Sequence, residues 1–415
     1  MKLMIRRSAV LMKTSFSMYL NALFLSAWWL RKTKKAIMCV VLSTFLGWPF
    51  TALISLPFLY DMLIRRRMYE SFLFSSGYFT VIIGLPLVLV DSYFYGKFTL
   101  APLNIIAYNI FSSHGPNLFG VESKYFYFNN LFLNFNVVWG FALIYPFIQI
   151  TIKTLKYFKL YGNHLEQDRF WKITPLYIWL LVFMLQPHKE ERFLFPVYPL
   201  LSLGAAMCIT TIEKIFTFRK HSTCNAATLF NTIITKVILV AFILLSLSRI
   251  VALYRYYHAP MDLTSQLAFS SEEQNLCLGK DWHRFPGSFF LPSNFRIRFI
   301  KSSFTGLLPA YYDETNGGSK KIHSYFNNFN HANNYMLFDI SKCDYLIDLD
   351  LETTYLSNEA EPNYSKNKQS WEIIKSIHFL DVNSSSKFYR SFYIPIKLSG
   401  NVQLANMNLL KRITK

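Results

Sequence analysis

QPHKEERFLFPVYPLL, residues 186–201, sets five ionisable side chains in a row, His188, Lys189, Glu190, Glu191 and Arg192, between two apolar runs. The run before it, 173–187, and the run after it, 193–212, read as membrane segments, which makes the charged stretch a hinge between them. An ionised group at membrane depth costs at least about 2.5–3.5 kcal/mol on insertion scales, so such a cluster belongs at an interface or against a polar cavity. A plain solvated turn is the simpler alternative. Such turns use Gly, Asn and Ser, however, whereas this one mixes both signs of charge and leads directly into Phe193, Phe195, Pro196, Tyr198 and Pro199.

Outward from the hinge, further apolar blocks cover 9–30, 36–59, 72–94, 130–152 and 229–253. Aromatic residues (18%) outnumber charged ones (16%), and the apolar residues come in blocks of spanning length, which predicts a polytopic α-helical membrane protein with about seven spans. The span 173–187 is short, and Trp171 and Trp179 are expected at membrane interfaces. Beyond residue 255 the chain turns polar and rich in Asn and Ser, so 1–254 reads as the transmembrane helical part and 255–415 as a carboxy-terminal α+β domain in water. Within that domain 343–350 and 391–398 have the alternation of strands, and 313–335, with Gly317 and Gly318, reads as a loop.

A net charge of +19 raises the question of a nucleic-acid partner. The basic residues lie instead in short loops beside the spans: Arg65, Arg66 and Arg67, then Lys153, Lys156 and Lys159, then Lys214, Arg219 and Lys220. That distribution marks cytosolic loops of a protein whose partner is the lipid bilayer, with no nucleic acid involved, and it puts the carboxy-terminal domain in the lumen. RKTKK, 31–35, disobeys the rule, and a re-entrant first or second span, helped by Gly47, Pro49 and Pro57, would account for it.

Asn363-Tyr-Ser365 and Asn383-Ser-Ser385 fit the acceptor pattern for N-glycosylation, which acts only in the secretory lumen. Cys39 and Cys208 fall in spans and Cys224 in a cytosolic loop, which leaves Cys277 and Cys343 either as a disulfide or as two buried thiols. No metal is expected: the zincin pattern that begins at His188 has Arg192 where its second His belongs. The long loop 91–130 supplies Asp91, Tyr93, Tyr95, Lys97, a turn at His114-Gly115-Pro116, Glu122 and an aromatic run from Tyr125 to Phe128. Those aromatics suit an interfacial belt, and they also suit sugar rings; the apolar piece 99–111 suits a polyprenyl chain.

PHKEERFLFPVYPL, with DSYFYGK, APLNII, HGPNLFG, FLNFN, GKDWHRFPGSFFLP and DISKCDYLIDLD, closely resembles the dolichol-linked-oligosaccharide α-1,2-mannosyltransferases of N-glycan assembly, in glycosyltransferase family 22 and the GT-C class. The likeness runs from about residue 15 to about residue 398. It implies an endoplasmic-reticulum enzyme, without cofactor, that inverts configuration while passing mannose from dolichyl-phosphate mannose to a dolichyl-diphosphate oligosaccharide. By place in the shared element, His188 is the candidate for the donor phosphate, with Lys189 and Arg192 in support and Glu190 and Glu191 orienting the cations or binding sugar hydroxyls. The resemblance also implies that the catalytic base lies in a first lumenal loop upstream of Met1, so the chain reads as amino-terminally truncated and neither Asp91 nor Glu122 is given that role. A mannosyltransferase of glycosylphosphatidylinositol assembly is the alternative within the family, and a non-catalytic membrane scaffold is the alternative outside enzymes. A transporter would carry paired repeats and ionisable residues inside its spans; this chain shows no internal repeat, and apart from Lys13 and Lys236 near the membrane ends its spans carry few ionisable residues.

Overall fold

The computed structural model describes residues 2–112, 115–158, 169–218, 225–309, 315, 318, 327, 329–351, 361–395 and 401–413, without the side chains of 2–12, 169 and 216–232. The expectations for His114, Lys159, Arg219, Lys220, Cys224, most of the loop 313–335 and residues 396–398 lie outside the described residues. The chain divides into two compact units: Arg6–Ile243 with Thr315–Lys321, and Leu244–Glu314 with Met1–Ile5 and Ile322–Lys415.

In the first unit α1 (Lys2–Trp29) ends as Arg31 turns to a positive φ of 58°, and α2 (Thr33–Leu42) follows at once. The apolar run 36–59 does not continue as one helix. It loosens into a π-helical turn over Ser43–Gly47, becomes extended at Trp48 and tightens into a 3-10 turn over Pro49–Ser55 before α3 (Leu56–Tyr60) and a second π turn over Asp61–Arg65. Pro49 and Pro57 lack the N–H that a continuous helix needs. Backbone groups freed inside an apolar unit must find partners, and side chains supply them. Ser17 accepts the Trp48 N–H at 2.9 Å, the Thr51 hydroxyl donates to the Trp48 carbonyl at 2.7 Å, and Ser43 bridges Thr51 (2.9 Å) and Asn21 (3.2 Å). Gly47 is required here, because a Cβ at that position would meet the Ser17 hydroxyl at 2.2 Å.

Four helical segments are long and apolar enough to cross a membrane: Tyr69–Tyr95, Phe126–Tyr157, Glu191–Ile215 and Ile233–Tyr257. They belong to α4 (Tyr69–Tyr95), to α6 (Phe126–Tyr157), to α8 (Tyr198–Phe218) with the 3-10 turn before it, and to α9 (Asn225–Tyr257). Two shorter apolar helical pieces accompany them, Ala101–Phe111, which begins with α5 (Ala101–Ile106), and Phe170–Leu185 within α7 (Arg169–Leu185). Of the seven expected spans, four are matched by full-length apolar helices among the described residues, while 9–30 lies in α1, 36–59 is broken and 173–187 is short. Apolar side chains such as Leu73, Phe74, Val81 and Leu85 on α4 face outward, as they do on a helix whose solvent is lipid.

Trp179 of α7 is fully buried inside the unit, whereas Trp171 is partly buried and packs on the exposed Tyr60. α6 bends at Asn136, whose φ of 39° and ψ of −118° leave the helical region. The Asn136 side chain covers the break by accepting the Val137 N–H at 2.7 Å, a local bond that suits Asn at such a position.

The second unit holds α10 (Ala259–Thr264), α11 (Lys387–Ser391) and five strands: β1 (Gln274–Leu278), β2 (Phe295–Phe299), β3 (Tyr345–Asp350), β4 (Trp371–Leu380) and β5 (Leu404–Arg412). They form one sheet in the order β2-β1-β3-β5-β4, parallel through β2, β1 and β3 and antiparallel at β5 and β4. Leu276, Leu278, Ile347, Leu349, Met407 and Leu409 build the larger core on one face. Cys277 and Cys343 are joined by a disulfide inside the smaller core on the other. In the described part of the strand expected over 391–398, Ser391 closes α11 and the backbone is irregular up to Pro395, whose ring fixes φ and removes a donor.

Candidate active site

The charged hinge is a compact, internally bonded turn between α7 and α8. Each of its five ionisable side chains is fastened to a specific atom. His188 Nδ1 donates to the Gly120 carbonyl at 2.7 Å, and its Nε2 lies 3.3 Å from a Glu190 carboxylate oxygen. Both ring nitrogens thus face acceptors, an environment that only the doubly protonated imidazolium satisfies. The Glu190 bond is the main reason that the His188 pKa is raised, with burial acting against it. Burial pushes the Glu190 carboxyl upward, but the bond from His188 and the Arg192 guanidinium outweigh it and hold the group below its usual value. Arg192 reaches Glu190 Oε2 at 2.6 Å, and its Nε is buried without a partner among the described residues.

Lys189 turns inward. It is 5% exposed, and its ammonium donates to the Gln186 carbonyl at 2.5 Å. Glu191 takes the Asn134 amide of α6 at 2.8 Å. Tyr127, also on α6, bonds both backbone groups of Glu190, donating to its carbonyl and accepting from its N–H, each at 3.2 Å. The hinge is thereby anchored to α6 through main chain and side chain together.

An aromatic floor lies under these charges. Trp48, in the extended break of the 36–59 run, stacks on Phe193 at 5.0 Å and meets Trp179 at 5.6 Å and Phe183 at 5.4 Å. Trp179 donates its indole N–H to the Phe193 carbonyl at 2.9 Å, and the His188 ring lies 5.8 Å from that of Phe193. The broken segment and the charged hinge therefore meet at one place.

Of the loop candidates, Glu122 is exposed and reaches the hinge only by its backbone N–H, which donates to the Pro187 carbonyl at 3.1 Å. Together with His188 and Gly120 this makes two bonds between the 115–125 segment and the hinge. Asp91 sits near the end of α4, with Oδ2 buried and unpartnered among the described residues. Tyr93, Tyr95 and Lys97 are exposed on the same helix end and the turn after it, and none of the four has a described contact with the hinge. Gly120, Tyr127, Asn134, Trp48 and Trp179 complete the site and were not among the sequence candidates. Tyr127 lay in the run read as a belt, and nothing in one sequence separates a buried tyrosine from its lipid-facing neighbours.

Four helices of membrane-spanning length and a charged hinge packed against aromatic side chains place the chain among polytopic membrane proteins. The chain belongs to the Alg9-like mannosyltransferase family, which it matches over residues 3–292. It is 44% identical to the α-1,2-mannosyltransferase Alg9 of Drosophila melanogaster over 98% of its own length and 67% of that protein. It is 38% identical to the α-1,2-mannosyltransferase ALG9 of Mus musculus, over 97% of the chain and 67% of the relative. The human GPI α-1,2-mannosyltransferase 3 matches at 26% identity over only 33% of the chain. No solved structure matches it.

Proposed function

We propose that the protein transfers mannose in α-1,2 linkage from dolichyl-phosphate mannose to the dolichyl-diphosphate oligosaccharide of N-glycosylation, in the endoplasmic-reticulum membrane with its carboxy-terminal domain in the lumen. The observation that carries this reading is the 44% identity to an α-1,2-mannosyltransferase along 98% of the chain. The partial match to the glycosylphosphatidylinositol enzyme makes that branch the weaker alternative.

In this reading the hinge meets the donor phosphate. His188 and Arg192 share the Glu190 carboxylate, so two cations stand side by side at the end of a membrane helix. A phosphate leaving the sugar gathers negative charge, and positioned donors stabilise it without reorganising. Lys189 adds its charge from within the turn while holding the Gln186 carbonyl, and Glu191 with Asn134 presents polar groups suited to a sugar hydroxyl. The disulfide in the second unit suits an oxidising lumen.

The test uses membranes carrying the protein, radiolabelled dolichyl-phosphate mannose and the lipid-linked oligosaccharide acceptor. Label in the acceptor that an α-1,2-mannosidase releases is the expected product. Changing His188 to Ala lowers transfer by roughly tenfold or more while the protein inserts normally, as expected for losing a charge-assisted contact. Absence of transfer, or transfer only to a glycosylphosphatidylinositol precursor, overturns the reading.

A further inference from the structure

The second unit includes the last part of α9, from Leu244 to Tyr257. α9 carries no charged side chain between Lys236 and Arg249, a stretch about 20 Å long. A hydrocarbon core about 30 Å thick puts both cations near its edges with their side chains reaching outward. The boundary between acyl chains and headgroups then crosses α9 over its turn from Arg249 to Tyr254. Ile250, Val251, Leu253 and Tyr254 are all exposed on that turn, as apolar side chains are where lipid is the solvent.

From the sheet the chain returns to this same level of α9 and is clamped there. Tyr393 donates its N–H to the Ser248 carbonyl at 3.2 Å, and its own carbonyl accepts the Ser248 hydroxyl at 2.8 Å. Arg249 donates to the Ser391 carbonyl at 3.1 Å, and Arg255 donates to the Tyr393 hydroxyl at 3.2 Å while its guanidinium lies 5.1 Å from that ring. Leu380, Val382, Tyr393 and Val402 pack around Ala252 and Tyr256, the buried side chains of this part of α9. α11, directly before the clamp, is tied down at both ends: the Ser386 N–H donates to the Asn401 carbonyl at 2.9 Å, and Arg390 donates to the Val382 carbonyl. Phe392 is buried beneath it, but Phe388, whose ring lies 5.6 Å from that of Phe392, is 52% exposed, and so is the backbone neighbour Lys387 open to its surroundings. One helical turn, about 5 Å of rise, separates Phe388 from the Ser391 that Arg249 holds, so the exposed ring stands in the boundary layer of α9.

A ring fixed outward beside a cation suits the headgroup boundary, where aromatics sit among the upper acyl chains and ammonium groups meet phosphate. The outward apolar face of α9 belongs to a segment of membrane-spanning length, and the exposed side of α11 continues it at the same depth. We propose that α11 is an interfacial anchor, with the Phe388 ring inserted at the boundary between headgroups and acyl chains and Lys387 on lipid phosphate, so that the sheet is tethered to the bilayer surface. The anchor is independent of the proposed reaction and of the hinge.

The experiment is photo-crosslinking of the full chain in nanodiscs of radiolabelled phosphatidylcholine, comparing Phe388→p-benzoylphenylalanine with Ile373→p-benzoylphenylalanine. Both positions are exposed, so the core survives either change, but Ile373 lies roughly 20 Å along β4 from Leu380, the residue of that strand that packs on α9. Lipid label on the protein is expected to be about tenfold higher from position 388, because an interfacial element dips only about 5–10 Å into the boundary and contact is local. Phe388→Trp is the second variant. Against the eight native tryptophans, its added emission should be quenched more by lipids brominated high on the acyl chain than by lipids brominated near the chain end. Equal lipid labelling from the two positions overturns the proposal. So does added emission that aqueous iodide quenches and brominated lipid does not, which would leave the ring in water. Crosslinking of position 388 to a polypeptide instead of lipid, when the same variant is irradiated in microsomes, also overturns it and makes the ring a protein contact.

Discussion

Replacing Glu190 by Gln removes one negative charge and almost no volume, and the consequence can be worked out bond by bond. The backbone of Glu190 keeps both bonds to Tyr127, so the turn stays attached to α6. What goes is the carboxylate shared by Arg192 at 2.6 Å and His188 at 3.3 Å, leaving two cations beside a neutral amide with one acceptor oxygen and no charge to offset theirs. Charge-assisted bonds contribute about 1.5–3 kcal/mol each when buried, but the Glu190 side chain is 34% exposed, which lowers the expected loss to about 1–2 kcal/mol. That corresponds to a roughly 5- to 30-fold rise in local opening. Hydrogen exchange of the full chain in nanodiscs reads it, since the Glu122 N–H bonded to Pro187 is held only while the hinge is closed. The pH dependence carries the sign. The His188 pKa is raised in the folded state, so its stabilisation is complete below its unfolded value, about 6.5, and fades as pH rises through the folded one. The Glu190 pKa is lowered, so its share is present above its unfolded value, about 4.3, and is lost as pH falls through the folded one. After correction for intrinsic exchange, protection near Glu122 should therefore fall as pH rises above about 6.5 and through the raised His188 pKa in the wild type, and depend much less on pH in Glu190→Gln. Unchanged protection in the variant, or an intact pH dependence, refutes the assignment of the hinge lock to this carboxylate.

Reducing or replacing the Cys277–Cys343 bridge, which encloses a sequence separation of 66, should destabilise the second unit by about 4 kcal/mol in the chain-entropy picture. Proteolysis of Cys277→Ser against wild type, scored by protection of the β1 and β3 region, measures this, and equal protection would refute it. Of the two glycan acceptors, Asn383 is exposed in a turn held by Asp381, whereas Asn363 spends its side chain on Asp350 and Ser365 is buried on Asp348. Asn383→Gln should therefore abolish the mobility shift given by glycosidase treatment and Asn363→Gln should leave it; the opposite pattern contradicts the structure, and no shift in the wild type contradicts a lumenal tail.

The hinge was legible because charge inside an apolar sequence is costly and therefore conspicuous, and 343–350 was legible as a short apolar run, although β3 turns out to be buried on both faces rather than alternating. The break in 36–59 was half legible. Gly47, Pro49 and Pro57 announced it, but the bonds that make it tolerable come from Ser17 and Asn21 on another helix, a pairing no local pattern encodes. Trp179 misled because an interfacial and a core tryptophan have the same sequence environment, and only its bond to the Phe193 carbonyl distinguishes them. In the expected strand 391–398 the described residues 391–395 are not extended into the sheet, because Ser391 ends α11 and Pro395 cannot donate to a ladder.

The number of charges in the hinge has its own logic once their partners are known. Lys189, Arg192 and protonated His188 face Glu190 and Glu191, so the turn carries one net positive charge when the imidazole is protonated and none when it is not. A donor in which phosphate links a lipid to a sugar is a phosphodiester with a single negative charge, the complement of the first state. Fewer charges would leave the cations free to collapse onto lipid headgroups or water, since a lone Lys or Arg near a membrane interface snorkels outward. With both carboxylates in place, Glu190 confines His188 and Arg192 to one spot while Glu191 is held by Asn134, and the aromatic floor of Trp48, Trp179 and Phe193 strengthens each interaction by keeping water from beneath it. Under this reading the protonation of one histidine, set by the carboxylate beside it, decides whether the hinge has a charge to offer the phosphate.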